Sequence, residues 1–358
     1  MKLLLVSTPL GPWGSGSGGG VEITLAGLVA GLLSRGHAVT VLAAAGSRLP
    51  PTCAAAELWT CAGSPQVSAQ HQQRQAPITL PADALLSRFW RRVLEEGPAA
   101  GFDAVLNLAY DWLPFWLTPT APLPIFHLVS MGSVNDAMDQ VIVELAAWDQ
   151  RRLAFHTAVQ AADFPLPSPP MVVGNGFDLS AYHLCLQPEP LLGWVGRIAP
   201  EKGLEDAASA AVRLGLPLAV WGLLEDPEYA AAVEASVPQG TLQWRGFVPT
   251  AELQAQLGCC RALLNTPKWN EAYGNVVVEA MACGVPVVAY RRGGPGELVH
   301  SGVNGVLVEP DDVAALAAAV PVAARLDRRI CRRWVEDHAS LEALACRIEA
   351  WIQMGLQR

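Results

Sequence analysis

Charged residues are scarce in this chain: Asp, Glu, Lys and Arg make up only 16% of its 358 residues. Hydrophobic residues make up 51%, which predicts well-packed globular domains and excludes long disordered tails. The charge that is present is mainly negative, with 33 acidic and 24 basic residues and a net charge of −9. This balance argues against nucleic acid as a general partner.

The sequence also lacks a long apolar run. No uninterrupted run reaches the ~18 residues that a membrane-spanning helix needs, and the nearest approach, residues 112–129, is interrupted by prolines. The apolar run at the N-terminus ends at Thr8-Pro9, which is too short for a secretory signal peptide. We therefore expect a cytoplasmic protein without stable membrane association.

Motifs for metal binding are missing as well. The 8 cysteines form no Cys-x-x-Cys pair, and no histidine stands at metal-ligand spacing. The sequence predicts reduced thiols and no metal site.

An alternation of apolar strands and helices is present in both halves of the chain. Residues 2–7 read as a strand, 21–34 as a helix and 38–43 as a second strand, which makes a β-α-β unit and predicts a parallel sheet. A second alternation begins at 191–195 and continues to 285–289. We predict an α/β protein with two doubly wound, Rossmann-like domains.

A proline-rich segment, 163–170, separates the two alternations and predicts a stiff, extended connection. We place an N-terminal domain at 1–170 and a second domain at 171–335. The C-terminal residues 336–358 have apolar positions at helical spacing, and we expect this helix to pack back on the N-terminal domain.

The first glycine-rich loop contains the pattern G-x-G-x-x-G at Gly14, Gly16 and Gly19. As a dinucleotide motif it is weak, because it begins too late after the strand and the second strand ends without an acidic residue. Gly19 and Gly20 precede a helix and would let the backbone approach a phosphate or a sugar. A simple turn is the alternative interpretation.

Two glutamates flank a second turn. Glu271 precedes Gly274-Asn275, which opens a short apolar helix, and Glu279 follows within that helix. Backbone N–H groups at such a turn can face a phosphate, Glu271 can accept hydrogen bonds from sugar hydroxyls, and Glu279 from a ribose. A solvated loop charge and an ordinary helix-surface residue are the alternatives, although acids among such apolar neighbours need a partner.

Two cations follow the strand at 191–195. Arg197 and Lys202 are expected at the carboxyl edge of the sheet, where ligands of such sheets bind. There they could stabilise a diphosphate leaving group without a metal, whereas surface ion pairs are the alternative.

These motifs together resemble family 4 of the retaining glycosyltransferases, which have the GT-B fold of two Rossmann-like domains facing a central cleft. The resemblance rests on Gly196-Arg197, on Glu201-Lys202-Gly203, and on Glu271 and Glu279 with seven residues between them. It is strong over residues 191–310.

The resemblance implies roles for individual residues. Arg197 and Lys202 would bind the donor diphosphate, Glu271 the transferred sugar and Glu279 the ribose. His127 would match the family's active-site histidine, although a structural role is the alternative for this residue. The further donor contacts that the resemblance implies are Gly19, Gly20, Val248, Tyr273, Gly274 and Asn275.

The family transfers sugars with retention and needs no metal, and the sequence agrees in having no Asp-x-Asp motif. The resemblance therefore implies no cofactor beyond a UDP-sugar donor substrate. Because no side chain stands out as a nucleophile, we favour attack on the sugar from the face that the phosphate leaves.

The acceptor is expected at the first domain, where aromatic residues surround an acid. Trp112, Phe115 and Trp116 could stack on a flat ring, and Asp111 could bind an amino-pyrimidine edge, although core packing and helix capping are the alternatives. These stretches are similar to UDP-glucose:tetrahydrobiopterin glucosyltransferases, which implies UDP-glucose as donor and a pterin as acceptor. The acceptor contacts this implies are Tyr110, Asp111, Trp112, His127 and Met131.

Two other functions stay open. A glycosyltransferase with a lipid or polysaccharide acceptor would need a basic amphipathic surface, for which Arg88, Arg91 and Arg92 beside Phe89 and Trp90 are the candidates. A UDP-sugar 2-epimerase would share the fold, but the spacing of the two glutamates argues against it.

Overall fold

The computed structural model describes residues 1–15 and 19–357, and within them the chain forms two compact units. The first unit comprises Met1–Phe177 together with the C-terminal segment from Leu341, and the second comprises Asp178–Ser340. The boundary between the units, at Phe177 and Asp178, lies on the C-terminal side of the proline-rich segment 163–170. Gly16 and Gly18 of the first glycine-rich loop lie outside the described residues.

Each unit contains one six-stranded sheet, and all its strand pairs are parallel. The first sheet has the order β3-β2-β1-β4-β5-β6 and the second β12-β11-β10-β7-β8-β9. The strands are β1 Lys2–Val6, β2 Ala38–Ala44, β3 Glu57–Cys61, β4 Ala104–Asn107, β5 Ile125–Val129, β6 Leu153–Phe155, β7 Leu192–Val195, β8 Leu218–Trp221, β9 Leu242–Gly246, β10 Ala262–Asn265, β11 Val287–Tyr290 and β12 Gly305–Val308.

The α-helices of the described residues connect these strands. They are α1 Gly20–Ser34, α2 Leu85–Ala100, α3 Trp112–Leu117, α4 Asp136–Asp149, α5 Ala158–Ala161, α6 Leu204–Leu214, α7 Pro227–Ala235, α8 Thr250–Gly258, α9 Asn275–Ala282, α10 Pro295–Leu298, α11 Val313–Ala323, α12 Arg328–His338 and α13 Leu341–Leu356. Within this part of the chain, none of the helices combines the length and the apolar character needed to cross a membrane.

The C-terminal helix α13 packs against α1 in the first unit. A Cβ at Gly31 of α1 would lie 2.7 Å from the backbone oxygen of Leu341, so only glycine allows this approach. Trp351 of α13 is fully buried and packs edge-on against Phe126 of β5, with ring centroids 5.3 Å apart. The helix therefore forms part of the first unit's hydrophobic core.

Both sheets reverse their strand order at an equivalent point. In the first sheet the reversal lies between β1 and β4, and in the second between β7 and β10. Ligands of doubly wound sheets bind at the carboxyl ends of the strands on either side of this point. The loops 196–203 and 266–274 follow β7 and β10, so the sheet order brings them to one edge.

A backbone contact joins these two loops. Gly203 has φ +65°, and a Cβ there would lie 2.0 Å from the backbone oxygen of Thr266, which no side chain tolerates. The Thr266 hydroxyl donates to the Gly203 oxygen at 2.7 Å and accepts from the Trp194 indole at 3.3 Å. Only glycine at position 203 satisfies both the backbone angle and the contact.

We predict that Gly203→Ala lowers the thermal unfolding midpoint far more than Gly215→Ala. Gly215, at the other end of α6, has nearly the same φ of +62° but no atom within 4 Å of a new Cβ. The control therefore carries only the left-handed backbone strain, about 1–2 kcal/mol. Calorimetry of both variants measures the difference, and equal midpoints would contradict the steric argument.

Candidate active site

The cation Arg197 lies in the turn after β7 and is held by two carboxylates. Its guanidinium donates to Glu201 Oε1 at 2.8 Å and to the carboxylate of Glu225. The side chain is 31% exposed, so an anion at the sheet edge can reach it. The prediction that Arg197 lies at the carboxyl edge of the sheet agrees with this position.

The structure brings the predicted cation Lys202 and the predicted acid Glu271 together. Lys202 Nζ donates to Glu271 Oε1, and it also lies 5.1 Å from the centroid of the Trp269 ring. The two loops run side by side here, because Lys268 N–H donates to the Glu201 oxygen at 2.8 Å. Two residues far apart in the sequence thus form one charge pair at the switch point.

Glycines 293 and 294 fix the backbone of the Glu271 loop. A Cβ at Gly293 would lie 2.5 Å from the Glu271 nitrogen, and a Cβ at Gly294 would lie 2.3 Å from the Tyr273 oxygen. The Gly294 N–H donates to the Glu271 oxygen at 2.7 Å. The sequence contained this glycine pair, but only the structure shows that it supports Glu271.

Helix α9 begins directly behind this loop. Gly274 is its N-cap with φ +96°, Asn275 is its first residue, and its first turn carries no acid. The Glu271 carboxylate lies close to this helix end, since a Cβ at Gly274 would be 3.7 Å from Glu271 Oε2. Tyr273 is 7% exposed.

Glu279 lies on α9 and is only 6% exposed. One carboxylate oxygen accepts a hydrogen bond from the Tyr182 hydroxyl at 3.2 Å. Burial raises the pKa of Glu279, and the Tyr182 hydrogen bond opposes this effect. The residue is therefore not an ordinary helix-surface glutamate.

An apolar cavity of about 400 Å³ lies at the ends of β7, β8 and β9. The segment that the resemblance assigns to the base lies partly on it: Gly246 lines the cavity, Phe247 is 77% exposed and Val248 is half-buried. The lining residues are Ile198, Gly222, Leu224, Ala230, Ala231, Glu234, Trp244 and Gly246.

His127 does not lie where a substrate could touch it. It is 0% exposed within β5, and its ring stacks on Phe115 at 4.1 Å. Its two nitrogens lie 2.7 Å from the Thr118 hydroxyl and 3.1 Å from the Asn107 amide. Burial lowers the pKa of His127 to about 3. The predicted sugar contact has no support in this arrangement, because Phe115, Thr118 and Asn107 cover the ring.

The predicted acceptor residues lie around the ends of β4 and β5. The Tyr110 hydroxyl donates to the Gly132 oxygen at 3.0 Å, next to Met131, which is partly buried. Burial raises the pKa of Asp111 to about 7, against a lowering by a hydrogen bond with Gln66. Asp111 precedes α3 but makes no capping hydrogen bond there, contrary to the capping alternative.

The aromatic residues of α3 divide into two groups. Trp112 and Trp116 stack on each other with centroids 5.4 Å apart, and Trp116 is 54% exposed. Phe115 is buried, so it belongs to the core and is not free to stack on a ligand. Of the three aromatic residues predicted to stack on a flat ring, Trp112 and Trp116 therefore form an accessible pair, whereas Phe115 does not take part.

Gln160 is a residue of this region that the sequence did not indicate. Its amide donates to the oxygens of Val129 at 2.7 Å and of Met131 at 2.9 Å, and its oxygen accepts from the His156 N–H at 2.7 Å. It thereby fixes the turn after β5. No sequence pattern marks it, because its partners are backbone groups.

Gly19 and Gly20 open helix α1. Gly19 has φ +54°, and a Cβ there would meet nothing within 4 Å. The Glu22 carboxylate in the first turn accepts from the Gly14 N–H at 2.9 Å, so an acid already lies at this helix end. This contact favours the interpretation of the loop as a simple turn.

The basic surface considered for a membrane on α2 does not expose its aromatic residues. Phe89 and Trp90 are 0% and 1% exposed. Arg91 and Arg92 pair with Glu95 and Glu96 at 3.0 and 3.1 Å. The two aromatic side chains therefore belong to the core, and Arg91 and Arg92 form ion pairs within the helix.

Across residues 1–15 and 19–357, no group of at least three acidic, histidine or cysteine side chains is arranged to hold a metal ion.

Residues 189–323 match the protein family described as "Glycosyl transferases group 1". The chain is 36% identical over 138 residues to a 2-deoxystreptamine N-acetyl-D-glucosaminyltransferase of Streptomyces fradiae, covering 36% of this chain and 32% of that protein. It is 36% identical over 176 residues to a 2-deoxystreptamine glucosyltransferase of Streptomyces kanamyceticus, covering 44% of each. It thus spans less than half the length of these two relatives.

Solved structures match over nearly the whole chain. AviGT4, a glycosyltransferase involved in avilamycin A biosynthesis, has a TM-score of 0.73 at 21% identity, and the match covers 99% of this chain and 98% of the AviGT4 chain. Anabaena HepE in complex with UDP has a TM-score of 0.76 at 19% identity, and the match covers 99% of this chain and 100% of the HepE chain. The chain therefore has the two-domain α/β fold of the GT-B glycosyltransferases. Its second unit carries the segment that matches the group 1 family.

We predict that Glu279→Gln raises thermal stability and weakens UDP binding. Because the pKa of Glu279 is raised, its ionised form costs stability above that pKa and costs none at low pH. The variant should melt higher than the wild type at pH 8, and the difference should shrink as the pH falls. Affinity for UDP should fall roughly tenfold through the loss of a charged acceptor.

Calorimetry and titration with UDP measure both effects. Glu309→Gln is the control, since the Glu309 side chain is 75% exposed and should change neither quantity. A lower melting point together with unchanged UDP affinity would contradict the assignment of Glu279.

Proposed function

We propose that the protein is a retaining glycosyltransferase that moves glucose from UDP-glucose to the side-chain hydroxyl of tetrahydrobiopterin or a related pterin. The observation that carries the proposal is the Lys202–Glu271 pair beside Arg197 at the switch point of the second sheet. A cation and an acid at this edge match the two ends of a sugar diphosphate.

When the donor binds, Lys202 and Glu271 would give up their contact with each other and contact the donor instead. Lys202 and Arg197 would bind the diphosphate, while Glu271 would accept hydrogen bonds from the sugar hydroxyls. The N–H groups at Gly274 and Asn275 would face the phosphate or the sugar, and Glu279 would bind the ribose. The exchange would be local, because Lys202 already contacts Glu271, and Gly274 lies close to the Glu271 carboxylate.

The assignment of UDP as the nucleotide is supported by the similar structure of Anabaena HepE, which was solved with UDP. The apolar cavity beside Gly246 offers apolar surface against which a base could pack.

The transfer step needs no residue as a nucleophile. The bond between the sugar C1 and the β-phosphate oxygen breaks, and the acceptor oxygen bonds to C1 on the same face. The proton of the acceptor hydroxyl passes to the departing phosphate oxygen. Arg197 and Lys202 stabilise the negative charge that grows on the phosphate, so the step is proposed to be independent of metal.

The acceptor proposal rests on the first unit alone. Asp111 is a half-buried carboxyl group that forms a hydrogen bond with the Gln66 side chain. Trp112 and Trp116 present an aromatic surface close to it in the chain. A carboxylate can accept two hydrogen bonds from an amino-pyrimidine edge. His127 is left out of the proposed catalytic set because it is enclosed. The eight free thiols favour a reducing compartment, so we propose that the reaction takes place in the cytoplasm.

We predict hexosyl transfer from UDP-glucose to tetrahydrobiopterin in the presence of EDTA. UDP release and a pterin product heavier by one hexose are the readouts, and NMR of the product should show the donor's anomeric configuration. Glu271→Ala should abolish transfer because the sugar loses its acceptor group. Glu309→Ala, at an exposed position, is the matched control and should behave like the wild type.

Two outcomes would contradict parts of the proposal. Hydrolysis of UDP-glucose without a pterin product would contradict the pterin as acceptor and would leave UDP-glucose as the donor. Failure to bind UDP at all would remove the sugar-nucleotide assignment.

We predict that use of the acceptor depends on Asp111 in its ionised form. Since the pKa of Asp111 is raised to about 7, kcat/KM for the pterin should rise with pH through that value. Asp111→Asn should lose this pH dependence and lower kcat/KM for the pterin about tenfold, the cost of a charged hydrogen-bond acceptor. Donor hydrolysis in the same variant is the internal control. Unchanged acceptor kinetics would remove Asp111 from the site.

A further inference from the structure

A cluster of charged residues joins the loop that carries Glu271 to neighbouring elements of the second unit. Its centre is Lys268, whose Nζ contacts the Asp206 carboxylate, Asp311 Oδ1 at 3.0 Å and Glu205 Oε1 at 3.8 Å. We call Glu205, Asp206, Lys268, Arg292 and Asp311 the Lys268 cluster. None of them is among the residues assigned to the donor above.

The cluster holds the loop at two successive residues. Arg292 donates to the Pro267 oxygen at 2.8 Å and to Asp311 Oδ2 at 2.7 Å, while Lys268 reaches the other oxygen of the same carboxylate. Among the described residues Asp311 is the one non-glycine residue with positive φ, at +68°. Its carboxylate is thus aimed at both cations from a strained backbone position.

The other end of the cluster is helix α6. Asp206 lies in its first turn, four residues after Lys202, and it also accepts from the Tyr290 hydroxyl at 2.6 Å. Tyr290 is fully buried in β11, which gives the carboxylate a rigid support. The Asp206–Lys268 pair therefore connects the segment that carries Lys202 to the loop that carries Glu271.

We propose that Lys268 is a positioning residue that sets where Glu271 lies relative to Lys202 and Arg197. The inference rests on the proposed function, because those three residues are the proposed donor contacts. Lys268 itself does not touch the donor. It acts through the loop, in which Trp269 is the next residue and Glu271 lies three residues after Lys268.

Stability alone is a poor explanation for the cluster. Asp311 and Glu205 are 53% and 40% exposed, and ion pairs with that exposure contribute little to folding. The side chains of Asp206 and Lys268 are more enclosed, at 13% and 29% exposure. Replacing an enclosed ion pair by well-packed apolar side chains often leaves stability unchanged or raises it. What an ion-pair network adds at this position is a defined direction for each side chain.

The test compares Lys268→Met with Lys268→Arg and with the control Arg291→Met. Arg291 pairs with Glu309 on the surface, where the two side chains are 55% and 75% exposed. Lys268→Met should keep the affinity for UDP within about twofold and lower kcat for sugar transfer at least tenfold, since a 1 Å displacement can cost about a hundredfold. Lys268→Arg should recover part of kcat, and Arg291→Met should change neither.

A second variant separates positioning from folding. Lys268→Met leaves the Asp206 carboxylate without its cation, which alone can destabilise the unit. The double variant Lys268→Met/Asp206→Asn removes that charge, so it should melt near the wild type and still transfer slowly. Wild-type kcat in the double variant would overturn the proposal, as would parallel losses of UDP affinity and kcat in Lys268→Met.

Hydrogen exchange of segment 266–274 supplies a readout that does not depend on activity. Exchange should quicken in Lys268→Met and in the double variant, and stay unchanged in Arg291→Met. If the wild type neither binds UDP nor transfers sugar, the proposed function fails, and exchange still decides whether Lys268 orders the loop. Unchanged exchange in both Lys268 variants would overturn the inference.

Discussion

The contact between Gly203 and Thr266 is the constraint on which the site depends. The two backbones meet at a distance that leaves no room for a Cβ, and hydrogen bonds from Trp194 through Thr266 to Gly203 hold them there. Parallel strands end at one edge, but they do not by themselves bring the following loops into contact. This contact does so, and it places Lys202 within reach of Glu271.

The charged side chains of the candidate site have polar partners within the protein. Lys202 and Glu271 satisfy each other, Arg197 has two carboxylate partners, and Glu279 accepts a single hydroxyl hydrogen bond. Buried acids cost free energy unless they are paired. Pairing reduces this cost for Glu271, whereas burial still raises the pKa of Glu279 despite its hydrogen bond.

The first unit shows how strand length decides the role of a residue. A histidine that ends a strand faces the ligand edge, whereas one inside a parallel strand is covered by helices. Strand β5 runs to Val129, so His127 lies inside it and stacks on Phe115. Asp111, four residues beyond β4, lies past the end of its strand and meets Gln66 from a distant loop.

The sequence by itself determined the alternation of strands and helices, the two parallel sheets, and the turn at Gly274, because these follow from local periodicity and backbone freedom. It also indicated Arg197, Lys202, Glu271 and Glu279 as the residues of interest. Only the tertiary structure decided that Lys202 pairs with Glu271, that His127 is enclosed, and that Lys268 joins α6 to the Glu271 loop. Those pairings join residues far apart in the chain, and local patterns carry no information about which distant side chain a charge will meet.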